Sequence, residues 1–289
     1  MFDKVEAFHR PASVPEALRL LTRGKGQARI VAGGTDAVLA DGDSVRVLID
    51  ITRAGLNYIR RRTTGLAIGA TTTLAAIEES ELLHKLAGGI LPVAAATCGS
   101  VPIRNLATLG GNLANASPAA DTATPLLVLG ASVVMADSRG RHKLPLAEYL
   151  EGAPTGRFAR SILVEVIVPE PPHGRHCGWS FQKLGRTALD ISLVNVAAGL
   201  QLDLKGRVKL ARIALGAVAP TAMRVETAEQ LMTGRVLDAA LVSEAAGEVS
   251  RAVSPISDVR ASAEYRREMS AVLTARALKE CAAHAGGSL

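Results

Sequence analysis

The stretch CGSVPIRNLATLGGNLANASPAAD, residues 98–121, constrains the fold more than any other part of the chain. It sets a Gly-Gly pair, asparagines and small hydroxylated residues between two apolar runs. Glycine has no Cβ to hold a neighbour off and tolerates unusual φ, so such a segment lets the backbone approach a ligand rich in phosphate and hydroxyl groups. A second Gly-Gly turn, IVAGGTD at residues 30–36, lies far upstream. Two such segments imply a site that closes on an extended, dinucleotide-like ligand from both sides. Neither matches GxxxxGK[ST] or GxGxxG, so P-loop and Rossmann sites are unsupported.

The rest of the chain limits what can surround that site. At 289 residues, 48% of them apolar, it is long enough for two or three domains with substantial cores. Only 3% are aromatic, so those cores are built from Ala, Val, Leu and Ile. The formal net charge is +6, but the basic residues are scattered. The two short bunches, Arg60-Arg61-Arg62 and Arg266-Arg267, lack aromatic interleaving, which favours an Arg-rich soluble protein over a nucleic-acid or membrane binder. Cys98, Cys177 and Cys281 are widely spaced and no CxxC occurs, which argues against an iron–sulfur cluster or zinc on this chain and fits a reducing, cytoplasmic setting. The sequence MFDKVEAFHRPAS lacks a basic-then-apolar leader, and no run reaches the roughly 18 apolar residues of a membrane span.

The pattern divides into three segments of an α+β protein. In residues 1–55, Ser13 and Glu16 form a capping box ahead of Ala17-Leu18-Arg19-Leu20-Leu21, and Gly24 to Gly26 end that helix. Strands are expected at 28–32 and 45–51, giving a small βαβ-type module. In residues 56–174, strands are expected at 66–70, 132–136 and 161–168, with helices at 73–83 and 91–97. Residues 169–174, PEPPHG, continue neither strand nor helix and mark a linker. In residues 175–289, runs at 194–204 and 208–218 flank Lys205-Gly206-Arg207 as a β-hairpin, and helices follow at 227–232, 237–252 and 263–284.

Two readings stand for each glycine segment. Residues 32–36 are either an ordinary strand-to-helix turn or a set of backbone N–H groups aimed at an anion. Thr108-Leu109-Gly110-Gly111-Asn112 offers a hydroxyl, two unshielded amides and a side-chain amide, or else a tight turn satisfying its own backbone. Asp121, nine residues beyond Asn112, is placed to accept from ribose or ribityl hydroxyls.

IVAGGTD, GSVPIRNLATLGGNLANASPAADT and SPISDVRASAEYRREM, in that order and spacing, resemble the FAD-binding medium subunit of molybdenum-containing hydroxylases, the xanthine dehydrogenase and carbon monoxide dehydrogenase superfamily. The resemblance spans nearly the whole chain. It implies a two-part FAD-binding domain of the vanillyl-alcohol oxidase (PCMH) type, followed by a carbon monoxide dehydrogenase flavoprotein C-terminal-like α+β domain. By it, Ile30, Val31, Ala32, Gly33, Gly34, Thr35 and Asp36 line one side of the FAD pyrophosphate, and Thr108, Gly110, Gly111 and Asn112 hold the other. Asp121 binds flavin-side hydroxyls, Leu163 touches the isoalloxazine, and Lys183 reaches the flavin, with Asp190 nearby. Asp258, Arg260, Tyr265 and Arg266 are architectural or meet another subunit. FAD is held non-covalently, because residues 99–121 contain no His and Cys98 is the only nearby attachment candidate. The resemblance further implies an oxidoreductase subunit that has no catalytic or metal-binding residue of its own. It passes electrons from an iron–sulfur subunit through FAD to an external acceptor, and a large subunit carries the molybdenum cofactor, in a heterotrimer that pairs into a dimer. Two departures stand out: many members carry Gln at the position of Pro102 and Gly at that of Ala107. A stand-alone flavin oxidoreductase of the same fold and a scaffold that has lost FAD are the alternatives.

Overall fold

The computed structural model describes residues 4–39, 44–153 and 155–287. The chain runs β1 (Ala7–His9), α1 (Val14–Arg23), β2 (Ala28–Val31), β3 (Val47–Asp50), β4 (Ile59–Arg62) and β5 (Gly65–Gly69). Short helices follow: α2 (Leu74–Glu78), α3 (Glu81–His84), α4 (Ile90–Ala96), α5 (Val101–Leu106), α6 (Leu109–Ala114) and α7 (Ala123–Val128). Next come β6 (Ser132–Asp137), β7 (Gly140–Pro145), α8 (Leu146–Gly152), β8 (Ile162–Pro169), β9 (Cys177–Leu184), β10 (Val194–Leu202), β11 (Val208–Gly216) and β12 (Met223–Arg224). The chain ends in α9 (Glu226–Met232), α10 (Ala239–Ala252) and α11 (Ala263–His284). Two compact units form, interleaved along the sequence: residues 1–77, 100–116 and 131–169 make the first, and 78–99, 117–130 and 170–289 the second.

The first unit holds two sheets. In the smaller, β3 lies between β1 and β2 and is parallel to both. Helix α1 starts at the expected Ser13 cap, which is extended and accepts from the Glu16 N–H at 3.4 Å, but Glu16 Oε2 reaches past the cap to accept from the Ala12 N–H at 2.9 Å, so half of the capping box is shifted by one residue. Val14, Ala17 and Leu21 form its buried face. The larger sheet is antiparallel, in the order β4-β5-β8-β6-β7. Its edges β4 (IRRR) and β7 (GRHKLP) carry no alternating apolar pattern, so periodicity does not reveal them. Charged side chains on an edge strand protect it from pairing with another chain. Arg62 Nη2 reaches both oxygens of the buried Glu165 carboxylate at 2.8 and 2.9 Å, and the Tyr58 hydroxyl donates to it at 2.7 Å.

In the second unit, β12-β11-β10-β9 form an antiparallel sheet backed by α9, α10 and α11. Its core is aliphatic: Val194, Val196, Leu200, Ile213 and Leu215 from the sheet pack with Leu241, Val249, Leu273 and Leu278 from the helices. Gly199 is required here, because a Cβ would run into the Trp179 ring. The hairpin turns at the expected place, with Asp203 Oδ1 accepting from the Lys205 and Arg207 N–H groups at 2.8 Å each. The segment before α11 is architectural. Arg266, 3% exposed, donates to Leu193 O at 2.9 Å, Ala217 O at 3.1 Å and Asp258 Oδ1 at 2.8 Å. Backbone N–H donation from Arg260 and Ala261, followed by the Arg266 guanidinium, holds the Asp258 carboxyl down to about 2.

Three expectations need correction. The helix expected at 73–83 is two, because Ser80 adopts an extended conformation and caps α3 by accepting from the Leu83 N–H. Residues 98–121, for which no regular element was expected, contain α5 and α6, each about one and a half turns. Strand β9, whose mixed run CGWSFQKL has no clean alternation, precedes the expected hairpin.

Candidate functional site

The two Gly-Gly segments meet inside the first unit. Residues 29–37, from β2 into the turn after it, and residues between 107 and 115, on α6 and its two ends, line one polar cavity of about 350 Å³. An adjoining, mainly apolar cavity of about 310 Å³ shares Ile30, Val31, Ala32, Gly111 and Ala114 with it. Together they form one cleft with a polar and an apolar compartment.

The polar compartment has an anion-binding character set by its backbone. The N–H groups of Gly33, Gly34, Thr35 and Asp36 have no hydrogen-bond partner among the described residues, yet they belong to residues that line the cavity. Consecutive unpartnered amides in a turn form a concavity that favours phosphate oxygens. Gly34 has φ +74°, which an L side chain adopts only with strain. At Gly33 the constraint is steric, since a Cβ would overlap the Leu106 carbonyl at the end of α5.

The opposite wall differs from the sequence expectation. Gly110 and Gly111 do not offer unshielded amides: the Gly110 N–H donates to Ala70 O at 2.8 Å and the Gly111 N–H to Thr108 Oγ1 at 3.1 Å. Leu109 N–H donates to Thr72 O at 2.9 Å, and Asn112 N–H to Thr108 O at 2.9 Å. Thr108 is thus the N-cap of α6, and short-range capping satisfies the amides that the spacing alone left open. Gly110 serves close packing instead, because a Cβ there would lie 2.7 Å from both Ala70 Cβ and Ala70 O. Thr108, Gly111 and Asn112 line the polar compartment, and Gly110 lines the apolar one. The departures at Pro102 and Ala107 are accommodated. Pro102 sits in the first turn of α5, where its missing N–H leaves nothing unpaired. Ala107 is extended, at φ −59° and ψ 135°.

The apolar compartment is walled by Leu163 and by side chains the sequence reading missed: Met135, Tyr149, Phe158 and Ile162. A register shift between Val134 and Met135 sets Met135 directly opposite Leu163 on the paired strands β6 and β8. A bulge of this kind re-aims side chains next to a site. The Tyr149 and Phe158 rings stack with centroids 5.1 Å apart. Burial pushes the Tyr149 phenol up to about 12, so the ring presents a neutral surface. The scarcity of aromatic residues was the available signal: two of seven Phe and Tyr residues fall nine positions apart, flanking the same turn.

Asp121 and Lys183 belong to the second unit, where they meet each other. Lys183 Nζ donates to Asp121 Oδ2 at 2.7 Å and to Thr97 O at 2.8 Å, and both side chains are under 10% exposed. Asp121 Oδ1 accepts from Ser192 Oγ at 2.5 Å and Asn195 Nδ2 at 3.2 Å, while Cys98 Sγ approaches Oδ2 at 3.7 Å. Burial pushes the Asp121 carboxyl up, against the opposing pull of Lys183, Ser192 and Cys98. Four donors fill the roughly four lone-pair sites of a carboxylate, so a ligand hydroxyl would bind there only by displacing one of them. Asp190 is not Lys183's neighbour in charge: its carboxylate takes Arg186 Nε at 2.6 Å, four residues back in the same turn.

The donor set and shape of the cleft suit FAD, whose pyrophosphate matches the amide cradle and whose flat rings match the apolar compartment. Comparison with known proteins agrees. Residues 2–171 match the family model for the FAD-binding domain in molybdopterin dehydrogenase, and residues 179–281 match that for the carbon monoxide dehydrogenase flavoprotein C-terminal domain. The chain is 32% identical over 295 residues to the xanthine dehydrogenase FAD-binding subunit of Escherichia coli O157:H7, covering 100% of both. It is 31% identical to the carbon monoxide dehydrogenase medium chain of Afipia carboxidovorans, covering 96% of this chain and 97% of the other. Its fold matches reconstituted CO dehydrogenase from Oligotropha carboxidovorans with a TM-score of 0.89 and 29% identity, over 96% of this chain and 98% of that one. This chain therefore belongs to the FAD-binding medium subunits of the molybdenum-containing xanthine and carbon monoxide dehydrogenase family.

Proposed function

We propose that this chain is the FAD-carrying electron-transfer subunit of a heterotrimeric molybdenum hydroxylase, passing electrons from an iron–sulfur subunit to an external acceptor. The observation that carries the reading is the cleft of the first unit, where four residues whose backbone N–H groups have no partner among the described residues line a cavity that adjoins an apolar compartment. Gly33, Gly34, Thr35 and Asp36 bind the pyrophosphate through those amides. Ile30, Val31 and Ala32, with Thr108, Gly110, Gly111 and Asn112, close the two walls. Leu163 and Met135 wall the apolar compartment, where they would hold one flat ring system of FAD and keep water from it. When bound, FAD supplies the electron-accepting and electron-donating chemistry, and the protein supplies orientation and electrostatics.

Asp121 and Lys183 act in this reading as a buried pair of balanced charge rather than a lone cation. Lys183 Nζ donates one hydrogen bond to Asp121 Oδ2 and another to Thr97 O. Substrate hydroxylation takes place on a large molybdenum-cofactor partner, electrons enter through a small iron–sulfur partner, and the trimer pairs in the cytoplasm. The relatives' names, an FAD-binding subunit and a medium chain, support a chain that works beside other subunits. The test is isolation from the native host. Flavin absorbance at the roughly 450 nm typical of the cofactor, together with one large and one small copurifying chain, is the expected result. A colourless protein, or a lone chain that turns over substrate by itself, would overturn it.

A further inference from the structure

We propose that a groove on the first unit, between α1 and the turn joining β6 to β7, docks an acidic, amphipathic segment of another protein. The groove consists of two cavities of about 450 and 350 Å³ that share Pro15, Leu18, Asp137 and Ser138, so they form one open trough. It lies away from the buried face of α1, which carries Val14, Ala17 and Leu21, although Val14 also touches its floor. Pro15, Leu18 and Ala136 give that floor an apolar strip.

The rim is cationic on both sides. Arg19 and Arg23, one helical turn apart, line it from α1, and Arg139 and Arg141 line it from the hairpin. The only acid among the described residues that line it, Asp137, is already engaged: it accepts from the Arg139 N–H at 2.8 Å and from Arg139 Nη2 at 2.9 Å. Arg19, Arg23 and Arg141 make no hydrogen bond or ion pair among the described residues. Three unbalanced guanidinium groups therefore bracket an apolar strip. Guanidinium forks pair best with planar carboxylates, and the strip between them suits an aliphatic side chain. No aromatic residue lines the groove among the described residues, so they give it no platform for stacking a nucleic-acid base.

This inference is independent of the flavin reading, because its test measures peptide binding to the full chain and not turnover. A fluorescein-labelled peptide alternating Glu and Leu is titrated with the protein and followed by anisotropy. Binding is expected to weaken steeply with salt. Arg19→Glu/Arg23→Glu and, separately, Arg141→Glu are each expected to weaken it by about tenfold or more, the scale of one lost charged contact. Arg60→Glu/Arg61→Glu on β4 makes the same charge change elsewhere and is expected to leave binding nearly unchanged. Circular dichroism melts show whether each variant is folded, and Arg19→Gln/Arg23→Gln serves if the glutamate pair is not. Equal weakening by the β4 pair would mean bulk charge alone and overturn the proposal. So would undetectable peptide binding, or tighter binding of a single-stranded oligonucleotide at the same site.

Discussion

Gly110→Ala is a sharp test of the cleft's construction, because in most helices the same substitution stabilises. Alanine exceeds glycine in helix propensity by about 1 kcal/mol. At position 110, however, the new methyl would lie 2.7 Å from Ala70 Cβ and from Ala70 O, with 3.0 Å to Ala70 Cα. Ordinary van der Waals contact begins near 3.4 Å. Helix α6 must therefore retreat from the end of β5 by several tenths of an ångström, against backbone atoms that cannot rotate away. The retreat stretches the 2.8 Å bond from the Gly110 N–H to Ala70 O. Overpacking of this kind costs about 1–3 kcal/mol, and the weakened hydrogen bond adds about 1. After the propensity gain, the net loss is about 1–3 kcal/mol.

For a unit of this size that lowers the melting temperature by about 2–4 °C per kcal/mol. Because α6 is a wall of both compartments, FAD should also leave the variant during gel filtration, read as a fall in the ratio of flavin to protein absorbance. Gly247→Ala supplies the contrast. It lies within α10, where the only atom near a new Cβ is Arg251 Nη1 at 3.7 Å, so it should leave stability unchanged or raise it by up to about 1 kcal/mol. If Gly110→Ala melts like the wild type and keeps its flavin, the steric account of the second Gly-Gly pair is wrong.

Three further outcomes are expected. Asp121→Ala strands the Lys183 charge in a site where both side chains are under 10% exposed, and should cost about 3–5 kcal/mol in urea unfolding; adding Lys183→Met should restore part of the loss, and simple additivity of the two would refute the pairing. Thr108→Ala removes the N-cap hydroxyl that accepts from the Gly111 N–H, and should cost about 1 kcal/mol together with a measurable loss of FAD affinity by fluorescence titration. The Asp258 carboxyl, held down to about 2 by its backbone donors and Arg266, stabilises the folded chain above its ordinary value of 3.8, and that contribution is lost as pH falls from there to about 2. Asp258→Asn should therefore be less stable at neutral pH and show no such loss over that acid window in pH-dependent melts; a variant as stable as the wild type at neutral pH would contradict this.

What the sequence determined about this protein is local. Ser13 capped α1, Asp203 and Gly206 turned the β10–β11 hairpin, and the run at 263–284 became α11, because each depends on neighbours within a few residues. The two glycine segments marked the cleft for the same reason, since a missing Cβ is visible in a sequence. Tertiary structure alone decided how those glycines act. Whether Gly110 and Gly111 offer amides or allow close packing depends on Thr108 Oγ1 and on Ala70, which reaches them from just past β5, forty residues earlier. Lys183 likewise found Asp121, not Asp190, because strand pairing and the fold around residues 97–121 fix which charges meet, and charge in a buried site follows distance in space. The apolar compartment, with Met135 set opposite Leu163 by a shift in strand register, arises from long-range pairing, which no window of the sequence encodes.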